Sequence, residues 1–124
     1  MNMKRLPDAE LEVMKALWAS GPDTLRSALE EDLEPFHWAI TTINTYLTRL
    51  ADKGFVHIRR EGRSNRYTPL VSREEYQAFD SRAVLDRLYG SPRNFLAALA
   101  QDGLGRDELA ELQDLLDQLS GGRE

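Results

Sequence analysis

The sequence predicts a mainly α-helical chain carrying one small β-hairpin. Three observations predict it. Within residues 39–53, Ile40, Ile43, Leu47 and Leu50 recur at helical spacing and make one apolar stripe. Immediately afterwards Gly54 is a helix stop, Phe55–Ile58 reads as a strand, residues 59–66 form a basic, Gly-containing turn, and Tyr67-Thr68 reads as the returning strand, ended by Pro69. Beyond Ser72, leucines at helical spacing fall into three segments divided by Gly and Pro.

Taken in order, Leu6-Pro7-Asp8 opens a first helix, with Asp8 as cap and Glu10 and Glu12 near its positive end. Leu11, Met14, Leu17 and Trp18 form its inward stripe, Trp18 in the core. Gly21-Pro22 breaks it. Asp23 or Thr24 caps a short second helix with Leu25, Ala28 and Leu29 inward, and its Glu30-Glu31-Asp32 end should face away from phosphates. Glu34-Pro35 makes the turn before the third helix, with Phe36, His37 and Trp38 as an aromatic group at its entrance. Two short helices, a turn and a third helix is the order of a helix-turn-helix. The hairpin that follows at once makes it a winged one.

In the tail, Ser72 and Glu75 fit a capping box that opens a helix reaching about Tyr89. Ser91 caps the next, with Pro92 in its first turn, running to about Gln101. Gly103 and Gly105 break it, and a last helix spans about Asp107 to Leu119, with Gly121-Gly122 ending order. These three helices are too short to enclose their own leucines, which predicts burial against a second copy. The chain thus reads as a DNA-binding domain over 1–71 and a helical dimerisation domain over 72–124. Phe79, Leu88, Phe95, Leu96, Leu99, Leu109, Leu112 and Leu116 are the expected dimerisation residues. The alternative is that the tail helices fold back on the N-terminal domain of the same chain.

Composition narrows the functional classes. The 124 residues include no cysteine, which removes disulfides, thiol nucleophiles and thiolate metal sites. No span approaches the roughly 18 apolar residues needed to cross a bilayer, and the opening MNMKRLPDAE lacks the apolar run of a signal peptide. A cytoplasmic location without membrane insertion is therefore expected. The net charge of −5 is unevenly spread: residues 1–35 carry −4, residues 36–73 carry +5, and residues 74–124 carry −6. The positive island coincides with the third helix and the hairpin, as a DNA-binding face within an acidic chain requires.

The outer face of the third helix is unusual in composition. Surface helices favour Glu, Lys and Gln over Thr. This one carries Thr41, Thr42, Thr45, Thr48, Asn44, Tyr46 and Arg49, with no acid before Asp52. Short hydroxyls, an amide and methyl groups can approach base edges closely. Thr41, Thr42, Asn44 and Thr45 are the candidates for base contact. Arg49, Lys53, Arg60, Arg63 and Arg66 are candidates for phosphates, with Arg63 also able to enter the minor groove. Tyr46 donates to a phosphate or packs inward, and Arg49 could instead pair with Asp52.

The assembled residues resemble the penicillinase-repressor family, the BlaI, MecI and CopY type. The likeness rests on L-P-D-A-E-L-E-V-M-K-A-L-W, on T-T-I-N-T-Y-L-T-R-L-A-D-K-G-F, on the wing G-R-S-N-R-Y-T-P-L-V-S-R-E-E-Y, and on D-E-L-A-E-L near the end. It implies a homodimeric winged-helix repressor that binds a palindromic operator, upstream of antibiotic-resistance genes and of genes for their sensor. A membrane sensor-linked protease pathway is the partner system so implied. Two departures stand out. The Asn-Phe bond cut in the β-lactam branch has only Asn94-Phe95 to match it, several residues early and in an Ala-rich setting. The paired C-terminal cysteines of the copper branch are missing.

Two other classes fit the residues less well. A winged-helix protein-interaction module without DNA binding fits the acidic flanks, but four arginines in residues 59–66 are foreign to it. An enzyme has little support. His37 and His57 stand apart, no Ser/His/Asp arrangement of known spacing appears, and no metal cluster or cofactor motif is present.

Overall fold

A computed structural model describes residues 3–121. The chain divides into two compact units between Arg82 and Ala83.

The first unit begins with α1 (Asp8–Ser20). Pro7 takes the N-cap position, so Asp8 and Glu10 lie inside the first turn, where carboxylates suit the helix dipole. Asp8 is therefore not the cap. Val13, Met14 and Leu17 are fully buried, while Trp18 is half-buried and donates its indole N–H to the Val71 carbonyl at 2.9 Å.

The sequence reading missed the next element. Thr24 and Leu25, expected to open the second helix, form a short strand β1 (Thr24–Leu25), and α2 (Arg26–Asp32) starts only after it. Thr24 donates its hydroxyl back to the Gly21 carbonyl at 2.8 Å, and Asp23 adopts a left-handed φ of 60°, so neither caps α2. Ala28 is exposed, and Leu29 with Leu33 fills the core instead.

A single 3₁₀ turn, Glu34–Phe36, leads into α3 (Ile40–Asp52). Ile43, Leu47 and Leu50 are buried at i, i+4 and i+7. Ile40, expected on the same stripe, is exposed, because it is the first helical residue and lies beyond the end of the core. Gly54 ends the helix at φ +84°, a left-handed conformation that favours glycine.

β2 (Val56–Glu61) and β3 (Ser64–Pro69) pair antiparallel from Val56 opposite Pro69 to Glu61 opposite Ser64. The loop is thus only Gly62-Arg63, with Gly62 at φ +63°, as a two-residue II′-type hairpin requires. β1 adds to the other edge of β3, giving a three-stranded sheet in the order β1-β3-β2 rather than a lone hairpin.

The first unit closes within α4 (Arg73–Val84), which is opened by the expected capping box. The Glu75 amide donates to Ser72 Oγ at 3.0 Å, and Glu75 Oε1 accepts from the Ser72 amide at 2.9 Å. Tyr76 is the reason that α4 belongs here. Its buried ring packs edge-on against Phe55 at 5.8 Å, and its hydroxyl accepts the Leu6 amide at 2.7 Å. Phe79, expected among the dimerisation residues, also packs on this core and lies 6.0 Å from Tyr76.

In the second unit, a π-helical turn (Leu85–Tyr89) ends at Gly90, φ +81°. Ser91 Oγ accepts the Asn94 amide at 3.1 Å and caps α5 (Pro92–Gln101), with Pro92 in the first turn as expected. The Asn94 side chain donates to the Tyr89 carbonyl at 2.9 Å, so the Asn94–Phe95 bond lies in the first turn of a capped helix. α6 (Arg106–Gly121) follows; Gly122 lies outside the described residues. Neither α5 nor α6 has a buried residue. Leu88 is 73% exposed and Leu116 52%.

Candidate nucleic-acid interface

The geometry of α3 follows from its own stripe. With Ile43, Leu47 and Leu50 turned into the core, Thr41, Thr45, Thr48 and Arg49 are exposed on the other side, and Thr42 and Asn44 are half-buried at its margins. Arg49 holds no ion pair among the described residues; Asp52 does not take it. Its charge is free to meet an external anion. Thr45 differs from its neighbours, because its hydroxyl donates to the Thr41 carbonyl at 2.9 Å. This back-bond to the preceding turn leaves Thr45 a methyl group and an acceptor to present, but no donor.

Two residues of the expected set are engaged within the fold. Tyr46 packs edge-on against Trp38 at 5.1 Å, and Trp38 stacks on Phe36 at 4.6 Å, so the aromatic group at the helix entrance holds the ring. Lys53 gives its ammonium to Glu10, which is 3% exposed. Lys53 therefore serves the interior, a role that the positive island concealed because the partner lies far away in sequence.

The hairpin divides its cations between two faces. Side chains alternate across a strand, and Ile58 opposite Tyr67 marks the face that covers the core. Arg60 and its cross-strand partner Asn65 continue that face past the end of the core. Arg59 and Arg66 are directly opposite each other on the outer face, with Glu61 beside them. There they are tied down. Arg59 Nη2 donates to both carboxylate oxygens of Asp23, at 3.0 and 2.9 Å, and its Nη1 donates to Glu61 Oε2 at 2.9 Å. Arg66 Nε donates to the same Glu61 oxygen at 3.2 Å, and Arg66 Nη1 to the Asp23 carbonyl at 3.0 Å. Arg66 is thus a paired residue, unlike the free phosphate-binding cation that the sequence suggested. Among the described residues, Arg63 stands exposed at the loop tip without an ion pair, and Arg60 reaches only the Gly62 carbonyl, at 3.4 Å.

The sequence reading missed Arg26. From the start of α2 its Nε lies 3.1 Å from Glu30 Oε1, and its Nη1 reaches Asn44 Oδ1 at 3.4 Å. A basic residue in an acidic helix gave no signal of its own. Only the packing of α2 beside α3 makes it a neighbour of the amide. Arg26, Ser27, Arg63 and Asn65 line one shallow depression between α2 and the hairpin. Among the described residues no group of three His, Asp or Glu side chains is placed to hold a metal ion, and no helix is long and apolar enough to cross a membrane.

The family model described as penicillinase repressor matches residues 6–118. The chain is 34% identical over 121 residues to the penicillinase repressor of Bacillus licheniformis, covering 94% of both chains. It is 34% identical over 125 residues to the transcriptional regulator BlaI of Mycobacterium tuberculosis, covering 98% of this chain and 89% of that one. Among solved structures, the DNA-binding domain of the repressor BlaI is similar at a TM-score of 0.51 and 36% identity, over 60% of this chain and 94% of that domain. The family read from the sequence motifs and the winged-helix architecture are both borne out: the chain belongs to the penicillinase-repressor family.

Proposed function

We propose that the chain is a dimeric, sequence-specific DNA-binding transcriptional repressor that acts on palindromic operators, and that antibiotic-resistance genes are among its targets. The observation that carries the reading is the outer face of α3. It offers hydroxyls, an amide and one cation, Arg49, which like Arg63 at the adjoining hairpin tip has no ion pair among the described residues. α3 then lies in the major groove, while Arg60 and Arg63 reach the flanking backbone or minor groove. Thr41, Thr42 and Asn44 meet base edges by hydrogen bonding, and Thr45 does so through its methyl group. The names of the relatives, penicillinase repressor and methicillin resistance regulatory protein, support the regulatory role and the class of genes.

Dimerisation draws on the tail. Leu99, Leu109, Leu115, Leu116 and Leu119 are all at least 42% exposed in the single chain, and a second copy related by two-fold symmetry would cover them. That symmetry would also present two α3 helices to the two halves of an inverted repeat. A sensor-linked protease as the releasing signal is part of the same family reading. The repressor needs no catalytic group or cofactor, and it acts in the cytoplasm, where its DNA is.

The test is selection of bound sequences from random duplex DNA, together with sedimentation of the free protein. An inverted repeat and a micromolar-stable dimer are the expected results. A monomer that retains no duplex in dilute buffer would refute the proposal and favour an interaction module instead.

A further inference from the structure

Arg59 and Arg66 present an energetic problem that the fold answers. Like charges directly opposite on paired strands repel. Glu61 accepts from both with one oxygen, and Asp23 takes Arg59 with its carboxylate and Arg66 with its carbonyl. Asp23 is held for this task. Its φ of 60° is a conformation that Asp and Asn tolerate better than most residues, and its amide donates to Thr68 Oγ1 at 2.9 Å. The Arg59 guanidinium is held more firmly protonated, chiefly by its hydrogen bond to Asp23. Half of the wing's four arginines are thereby neutralised, and they are the two on the face away from the core. The other two, Arg60 and Arg63, have no ion pair among the described residues and lie at the hairpin's far end.

We propose that Asp23 and Glu61 form a charge clamp that sets the wing's non-specific hold on DNA. By sequestering Arg59 and Arg66 they limit the wing's attraction for phosphates of any sequence, so that discrimination rests on α3. The inference depends on the DNA-binding reading above. Phosphate contacts are blind to sequence and dominate non-specific affinity, so each cation withheld lowers binding to every duplex and leaves the operator-to-random ratio to the base contacts of α3. Asp23 and Glu61 act as positioning residues through the two arginines, without touching DNA themselves.

The test compares Asp23→Asn/Glu61→Gln with the wild-type full-length chain on random duplex and on a selected operator, across a salt series. Asn preserves the left-handed backbone at position 23, and circular dichroism verifies the fold. Removing two negative charges raises DNA affinity to some extent wherever they lie. Glu31→Gln/Glu34→Gln is therefore the control, since both of those carboxylates are exposed and without an ion pair among the described residues. Release of two arginines should steepen the slope of log affinity against log salt on random duplex by about 0.9 per arginine. Affinity for random duplex should rise several-fold with the operator-to-random ratio little changed, and Arg59→Ala/Arg66→Ala added to the clamp variant should abolish the rise. An equal effect in the control, or a gain that survives loss of both arginines, overturns the clamp while leaving the repressor reading intact. A wild-type chain that retains no duplex at all overturns both.

Discussion

Lys53, at the end of α3, closes over the carboxylate of Glu10 on α1, a group that is 3% exposed. The pair ties the start of the first helix to the end of the helix that carries the candidate base contacts. Removing the lysine leaves a carboxylate with neither water nor partner. Loss of one member of a fully buried pair costs about 3–5 kcal/mol, and because Lys53 is itself 31% exposed the expected loss for Lys53→Ala is smaller, about 2 kcal/mol. Urea unfolding measures it. Glu10→Gln together with Lys53→Met should recover most of the loss. If Lys53→Ala is as stable as wild type and instead flattens the salt dependence of DNA binding, Lys53 is a phosphate contact after all.

Arg63 and Arg66 are three residues apart, yet the structure gives them opposite fates. Arg63→Ala should weaken binding to every duplex alike and flatten the salt slope by about one unit. Arg66→Ala should change the slope little, because its charge is already met by Glu61. Salt titrations of both variants on one operator provide the comparison, and equal slopes would contradict the assignment.

Asn44 should be a donor before it is an acceptor. Arg26 occupies its amide oxygen at 3.4 Å, which leaves the NH₂ group as the donor to present. Such a group prefers the keto oxygens of guanine O6 and thymine O4 over the amino groups of adenine and cytosine. Arg26→Ala frees the amide to rotate and should admit adenine at that base pair, where an asparagine can bond N6 and N7 together. Selected sequences from the two proteins should differ at one position per half-site, and Asn44→Ala should erase the difference. A uniform loss across all sequences would make Arg26 a phosphate contact.

The capping box at α4 carries a pH signature. Glu75 has its pKa lowered, first by the Ser72 amide and then by the Ser72 hydroxyl, both of which hydrogen-bond at this helix start. A folded-state pKa below the unfolded one means that the stabilisation is present above the ordinary glutamate range and is lost as pH falls through the folded value. Glu75→Ala should therefore melt below wild type at pH 7, and the gap should close as pH falls below the ordinary glutamate range. A gap that persists in acid would show that Glu75 acts by packing alone. Ser72→Ala should lower the melting temperature by roughly 3–5 °C at pH 7, as loss of a serine cap does.

Much of the fold is written in local signals. The period of Ile43, Leu47 and Leu50, the stop at Gly54, the Ser72–Glu75 box and the Ser91-Pro92 start each act within four or five residues of themselves. They place α3, α4 and α5 with little help from the rest of the chain, and the threonine face follows because the apolar stripe leaves it outside. The short strand Thr24–Leu25 could not be read in this way. Two residues carry no period, and they are extended only because β3 lies beside them with an unpaired edge.

The same distinction separates the legible part of the candidate site from the hidden part. Composition alone determined that a cationic hairpin adjoins a hydroxyl-rich helix. It could not say which cations are free, because charge is neutralised by neighbours in space. Glu10 meets Lys53 across 43 residues and Asp23 meets Arg59 across 36. Tyr76 reaches the Leu6 amide across 70, which draws the start of α4, and Phe79 with it, into the first unit. Helix and turn preferences are settled by atoms a few bonds apart, whereas ion pairing and burial depend on which distant segments the collapsed chain brings together.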